Sequence, residues 1–318
     1  MRLPWNVLKE RGIMGMNRRN AEFIMPYNKR RYYPLVDDKR KTKTLAQKHG
    51  IPVPELYGAI EIEHDIRDFR ETFQQWNDFV IKPANGSGGN GIVVIKGRTA
   101  KGAYRKNDES QVTDAELSHH LSNILSGMYS LGGTSDIALV EYRVKFDPAF
   151  QSVCYQGVPD IRTIVFRGVP VMAMVRLPTR DSDGKANLHQ GAVGAGIHLE
   201  SGVTTLGVHK NGIVTQHPDT GLPVAGLKIP SWSEILHLAA QCHTIAPLDY
   251  MGVDIVLDET RGPLMLELNA RPGLNIQLCN QQGLLPVLNK MKSISKIPAS
   301  VEDRVNLALD ISREITKG

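Results

Sequence analysis

Phe79 to Ile95 reads FVIKPANGSGGNGIVVI. A short apolar run delivers Lys82 and Pro83 to a stretch holding Gly86, Ser87, Gly88, Gly89 and Gly91, and the run IVVI leaves it. That is the pattern of strand, loop and strand. Without Cβ atoms, such a loop can turn sharply and aim several N–H groups at one anionic oxygen. Gly86, Gly88 and Gly91 also satisfy G-x-G-x-x-G, but a dinucleotide-binding loop must open a helix, and IVVIKG is short and β-branched. The stretch reads instead as a flap over phosphates, with a lysine on the incoming strand. An ordinary glycine-rich hairpin is the plainer alternative from these residues alone.

The 318 residues suffice for about two domains or one elaborate one, and 41% hydrophobic with 22% charged residues is ordinary for a globular chain. Cys154, Cys242 and Cys279 are odd in number and far apart, which argues against a disulfide framework or a C-x-x-C metal site and fits a reducing cytoplasm. The N-terminus has no apolar signal core, and no run approaches the roughly 18 apolar residues of a membrane span. Residues 1–50 hold thirteen Lys/Arg and four Asp/Glu. The basic residues are interleaved with apolar and aromatic ones, so a phosphate-rich site or an acidic substrate fits them better than nucleic acid does.

Residues 1–36 carry no clean period and read as an extended basic arm with one short helix at most. DDKRKTKTLAQKHG then gives a helix stopped at Gly50. Residues 65–76 place Ile66, Phe69, Phe73 and Trp76 at helical spacing. Residues 98–112 are polar and read as a mobile loop. Thr113 with Glu116, Ser231 with Glu234 and Ser300 with Asp303 open three helices as capping signals. DIRTIVF-RG-VPVMAMVRL is a hairpin, and the glycine-rich 184–212 contains another. His189 and His198 read as structural or substrate-side rather than as metal ligands.

Gly252 to Leu274, GVDIVLDETRGPLMLELNARPGL, is a further hairpin. Glu267 and Asn269 lie two apart on one face, Asp254 can be level with them on the partner strand, and Leu264, Leu266 and Leu268 take the opposite face. Two carboxylates and an amide oxygen are the hard ligands of Mg²⁺. Solvent-facing positions of a half-buried hairpin are the alternative.

Taken together, DDKRKTKTLAQKHGIPVP, VIKPANGSGGNGI, VEYRV, DIRTIVF, MVRLPT, NLHQGAVGAG and the hairpin resemble, in order, the ATP-grasp superfamily over residues 37 to 275. The nearest likeness is to ribosomal-protein alpha-L-glutamate ligases and the related alpha-L-glutamate ligase-like, sugar-transferase-associated proteins. The resemblance implies an α+β ATP-grasp fold in which two subdomains grip ATP. Lys43 and Lys82 would contact the α- and β-phosphates, and Gly86, Ser87, Gly88, Gly89 and Gly91 would close over the β- and γ-phosphates. Glu141, Tyr142 and Val144 would read the adenine. Asp254, Glu267 and Asn269 would hold Mg²⁺ or Mn²⁺. Arg162 and Arg176 would stabilise the transferring phosphoryl group, with Asn187 nearby on the substrate side.

Only about forty residues precede Lys43, where such ligases carry a full domain, and the connection 145–159 is longer than usual, which leaves Asp147 as a guess for the ribose contact. Arg271 stands where those ligases carry a small residue, and a guanidinium there could fork onto a substrate carboxylate. The expected layout is an arm (1–36), an N-terminal subdomain with the flap (37–136), a C-terminal subdomain with the metal site (137–292) and a final helix (293–318). The implied activity is an ATP-dependent carboxylate–amine ligase working through an acyl phosphate and adding an amino acid such as glutamate to a peptide or small molecule. A small-molecule kinase and a non-catalytic nucleotide-binding module are the rivals. Homodimerisation is expected if the short N-terminus has to be completed by another subunit.

Overall fold

The computed structural model describes residues 4–86, 88–100, 102–130 and 132–317. Runs of β-branched and aromatic residues form six strands, β1 (Leu56–Ile60), β2 (Phe79–Pro83), β3 (Val93–Arg98), β4 (Tyr104–Lys106), β5 (Gln111–Val112) and β6 (Ala138–Glu141). They make one sheet in the order β1-β6-β2-β3-β4-β5. Phe79 lies opposite Ile95 and Ile81 opposite Val93, so β2 and β3 pair as the strand, loop and strand expected of this stretch. One face of the sheet packs Phe79, Ile81, Ile95 and Val140 against Leu117, Leu121 and Ile124 of the helix Asp114–Leu125. That helix begins at the expected capping box: Glu116 N donates to Thr113 Oγ1 at 3.3 Å and Thr113 N to Glu116 Oε2 at 2.8 Å.

Two expectations change here. The helix over 65–76 is split into Glu63–Arg67 and Phe69–Thr72, yet Ile66, Phe69 and Phe73 still reach the core. Residues 98–112, read as a mobile loop, contribute β4 and β5. One fully buried aromatic, Tyr104, packs edge-on to Phe79 at 5.9 Å and anchors an otherwise polar segment.

Seven more strands, β7 (Asp160–Phe166), β8 (Val169–Leu177), β9 (Val193–His198), β10 (Val203–His209), β11 (Gly212–Val214), β12 (Tyr250–Asp258) and β13 (Gly262–Asn269), form a second sheet in the order β11-β10-β9-β8-β7-β12-β13. The β7–β8 turn places Arg167 and Gly168 at φ 53° and 78°, the two positive values a type I′ turn requires. A Cβ on Gly194 of β9 would stand 2.6 Å from Cys279 Sγ, so glycine there lets the helix Ile276–Asn280 lie close to the strand.

By its own contacts the chain forms two compact units, Asp38–Lys43 with Val53–Val144, and Met1–Asp37 with Thr44–Pro52 and Lys145–Gly318. The cut falls at 144/145 rather than at 136/137, because β6 pairs with both β1 and β2. The segment read as an arm belongs to the core of the second unit. It runs through Met16–Arg19, a π-helical turn Asn20–Ile24, Met25–Tyr27, Arg30–Tyr32 and Pro34–Asp37, and buries Met14, Phe23 and Ile24 against Ile164, Phe166 and Tyr250. Changes of helical pitch hide its period. The helix Val301–Lys317 packs Ala308 and Ile311 on the same core, with Ser300 Oγ accepting from Asp303 N at 3.0 Å as expected.

Ser231 does not cap the helix Trp232–Gln241: its φ of 49° is outside the extended region an N-cap needs, and it makes no capping bond. Trp232 Nε1 donates to Leu199 O at 2.7 Å there. Among the described residues no helix is long and apolar enough to cross a membrane.

Candidate functional site

In β2 the side chains alternate, so Phe79 and Ile81 enter the core and Lys82 takes the other face. In β6, Ala138 and Val140 enter the core and Glu141 takes that same other face, opposite Val80 and diagonal to Lys82. Lys82 Nζ lies 2.5 Å from Glu141 Oε1. Lys43, from the helix Lys39–Lys48, places Nζ 2.7 Å from Glu141 Oε2 and donates to Pro54 O at 2.5 Å. All three side chains are buried.

Burial depresses Lys43 most, with Lys82 adding to it and Glu141 opposing, so its pKa falls to about 8. Burial alone would raise Glu141, but Lys82 and Lys43 outweigh it and hold the carboxyl below its ordinary value. The adenine-reading role expected of Glu141 therefore meets a carboxylate already shared by two lysines. Tyr142 and Val144 follow it, both buried, and Tyr142 N donates to Glu55 O at 2.8 Å.

The glycine loop is held at both ends. Asp136 accepts from Asn85 N at 3.1 Å, Asn85 Nδ2 at 2.9 Å, Ser130 Oγ at 2.7 Å and Ile137 N at 2.8 Å. Lys39 Nζ donates to Gly86 O at 2.6 Å. At the exit His120 Nε2 lies 3.0 Å from Gly91 O, and Gly91, at φ 74°, has Tyr129 where a Cβ would stand, 2.6 Å away. Gly88 and Gly89 also take positive φ, 66° and 79°. Ser87, expected with them, lies outside the described residues.

The second constellation is a row across β8, β7, β12 and β13. Arg176 stands opposite Asp160, Arg162 opposite Asp254, and Asp254 opposite Glu267. Arg162 Nε donates to Asp254 Oδ1 at 2.6 Å, and Arg176 Nη2 to Asp254 Oδ2 at 2.9 Å while forking onto both oxygens of Asp160. Asn269 Nδ2 lies 3.3 Å from Asp254 Oδ2 and 3.5 Å from Glu267 Oε1. A bulge at Leu266, between the paired Met265 and Glu267, leaves it half-buried, so it does not share the fully buried state of Leu264 and Leu268.

Burial would raise Asp254, but Arg162 and Arg176 outweigh it and hold the carboxyl well below its ordinary value. For Asp160 burial wins over Arg176, with the nearby Asp254 charge adding to it, and its pKa rises to about 6. Burial opposes the charge on Arg176, yet Asp160 and Asp254 push its pKa up.

Among the described residues no three His, Cys, Asp or Glu side chains group as a metal cage. Asp254, Glu267 and Asn269 offer two carboxylates and one amide on a single face, with Glu267 34% exposed, a donor set that fits a hard cation sharing its ligands with phosphate and water. Asn187 bonds none of this set among the described residues; its Oδ1 accepts from His189 N at 3.0 Å to cap the turn Leu188–Gln190. That turn borders a cleft of about 460 Å³ lined by Asp181, His189, Gln190, Lys210 and Asn275. Arg271 is exposed, its guanidinium 5.3 Å above the Tyr33 ring.

Arg176 is buried with Asp160, while Asp181 pairs with Lys210. Sequence reasoning passed over Asp160 as a site residue, although its D-x-R alternation opposite Arg176 was a usable signal. Asp136 and Lys39, 51 and 47 residues from the loop residues they bond, carried no sequence signal.

A sugar-transfer associated ATP-grasp family model matches residues 18–293. The chain is 23% identical over 334 aligned positions to a cyanophycin synthetase of Crocosphaera subtropica, covering 93% of this chain and 36% of that protein. It is 26% identical over 237 positions to a probable alpha-L-glutamate ligase of Aeromonas salmonicida, covering 74% of this chain and 57% of that protein. The chain thus spans about a third and somewhat over half of these relatives' lengths. A D-alanine–D-alanine ligase from Bacillus anthracis, solved with ATP, superposes with a TM-score of 0.43 at 14% identity over 89% of this chain and 68% of that one. The family match covers most of the chain and the two antiparallel sheets with their helices give the α+β class, so the protein belongs to the sugar-transfer associated ATP-grasp family.

Proposed function

We propose that this chain is an ATP-dependent carboxylate–amine ligase. ATP phosphorylates a carboxylate, and an amine then displaces phosphate from the acyl phosphate to give an amide, ADP and phosphate. The observation that carries this reading is the row Arg162, Asp254, Glu267 and Asn269 in an ATP-grasp chain, which joins cation ligands to guanidiniums on one sheet face.

In this reading Lys43 and Lys82 supply positive charge to the α- and β-phosphates, with Glu141 orienting both ammoniums. The backbone at Tyr142 and Val144 reads adenine. The loop holding Gly86, Gly88, Gly89 and Gly91 covers the terminal phosphates and excludes water from the acyl phosphate. Asp254, Glu267 and Asn269 would hold Mg²⁺ or Mn²⁺, which when bound neutralises phosphate charge and orients the oxygens. Arg162 and Arg176 oppose the charge that develops on the transferring phosphoryl group. Asn187 supports the wall of the cleft beside it, and Arg271 faces the substrate side.

The relatives' names speak for an amino acid, such as glutamate, added to a peptide or small molecule. A cytoplasmic address, in keeping with three free cysteines, and a homodimer belong to the same proposal. Sedimentation mass at several concentrations tests the dimer.

The deciding experiment is ADP and phosphate release from Mg-ATP with a panel of carboxylates and amines, product mass spectrometry, and Glu267→Ala as control. Release requiring both partners, with an amide product absent in the control, supports the ligase. Release requiring an alcohol and giving a phosphorylated product makes it a kinase. Tight nucleotide binding without release makes it a binding module.

A further inference from the structure

The loop 270–275 leaves β13 immediately after Asn269 and carries Arg271. Three residues of the N-terminal segment grip it. Asn28 Nδ2 donates to Ala270 O at 2.9 Å and to Tyr250 O at 2.6 Å, while its Oδ1 accepts from Tyr250 N at 3.0 Å. Arg19, only 8% exposed, donates from Nη1 to Pro272 O at 2.7 Å and spends Nε and Nη2 on Asn20 Oδ1. Tyr33 lies beneath the Arg271 guanidinium. The backbone is therefore clamped on both sides of Arg271, at Ala270 and at Pro272.

Arg19 has its N–H groups committed and supplies position. Arg271 is the reverse: exposed, set over an aromatic ring, and in no ion pair among the described residues. The Tyr33 ring lies 5.3 Å from the guanidinium carbon on one side, and the exposed side chain keeps N–H donors for a carboxylate. Holding a charge above an aromatic face without a counter-ion is what a recognition residue needs, since no internal carboxylate competes for it. Arg271 also lies close enough to Arg19 for the two charges to repel, which favours an incoming anion.

We propose that Arg271 is the fork that binds the unreacted carboxylate of the amino-acid substrate, and that Tyr33, Arg19 and Asn28 of the N-terminal segment are its positioning residues. The inference rests on the ligase reading. A carboxylate awaiting phosphorylation has to meet the γ-phosphate at the cation ligands, whereas Arg271 stands beyond them on the loop that leaves the strand. The group it holds stays unreacted, and an amino acid carries such a group together with the attacking amine.

The test compares L-glutamate, L-aspartate, glycine, L-alanine and D-alanine with their α-amides, by ADP release under Mg-ATP with a panel of peptide carboxylates and, separately, by calorimetric binding. The wild type favours at least one amino acid over its amide. Arg271→Gln raises the KM for that amino acid roughly 10- to 100-fold and erases the preference, with kcat and the KM for ATP within about twofold. Arg271→Lys fails to restore it, because an ammonium cannot fork. Tyr33→Leu raises the KM about threefold and Tyr33→Phe restores it, since either aromatic ring keeps the cation–π face.

An Arg271→Gln protein that keeps both KM and amide preference overturns the fork and leaves the ligase standing. Arg271-dependent binding of an amino acid without ADP release in any pairing keeps the fork and removes the ligase. Absence of carboxylate-dependent binding and turnover across the panel overturns the proposal.

Discussion

Lys43 and Lys82 share Glu141 in one unit, a buried trio with one net positive charge; in the other, Arg162 and Arg176 meet Asp160, Asp254 and Glu267, a net negative charge with its carboxylates ionised. The first suits an anion and the second a cation. They also differ in openness. The lysine trio is buried throughout, whereas the arginine row runs from buried Asp160 and Asp254 to half-exposed Glu267. Buried ion pairs are weak sources of stability, because desolvation offsets most of their attraction. Two such clusters in one chain are better understood as charges held in place for use, and the comparison can be broken or sharpened at its central carboxylates.

Asp254→Ala should have the largest effect. It removes the carboxylate bonded to both arginines, and leaving buried charge uncompensated costs about 3–5 kcal/mol. Denaturant unfolding should show that loss alongside abolished ADP release; wild-type stability would mean that the row is not held by this residue. Glu141→Gln should cost nearly as much, about 3 kcal/mol, by leaving two ammoniums in a buried site. Its double mutant with Lys43→Met should be less destabilised than the summed singles, since the partners interact directly. Additivity would show the trio to be uncoupled.

Gly91→Ala should destabilise by about 1–3 kcal/mol, because the φ of 74° is strained for alanine and Tyr129 fills the Cβ position. A crystal structure or unfolding curve unchanged from wild type would show that the flap exit yields freely. Glu267→Gln should alter stability by under about 1 kcal/mol because the side chain is 34% exposed, yet abolish the Mg²⁺ dependence of nucleotide binding. Equal loss of stability at Glu267 and Glu141 would erase the distinction between the clusters.

A separate effect is in pH. The folded pKa of Lys43, about 8, lies below its ordinary 10.5, so between those values the unfolded chain holds a proton the folded chain has released. Unfolding free energy should then rise with pH across that window relative to Lys43→Met, and be parallel below it. Over the same rise the trio loses its positive charge, so nucleotide affinity should fall above pH 8 in the wild type and stay flat in Lys43→Met.

Much of this was legible in local pattern. The flap hairpin, the type I′ turn at Arg167–Gly168, the capping signals at Thr113 and Ser300, and the spacing of Asp254, Glu267 and Asn269 all depend on residues within one hairpin or one helical turn. What was misread depended on distant partners. Phe23 and Ile24 gave no helical period, yet they pack on Phe166 and Tyr250; Tyr104 in a polar run packs on Phe79; Ser231 has the residue type of a cap but a backbone set by its surroundings.

The sequence by itself determined the strands, their alternation and the chemistry each face could offer, because a period of two follows from the geometry of a single chain. Only the tertiary structure decided which charges meet. Lys43 and Glu141 are 98 residues apart, and Arg162 and Asp254 are 92 apart. Their pairing follows from sheet order and from exclusion of water, properties of the assembled sheets that no single strand contains.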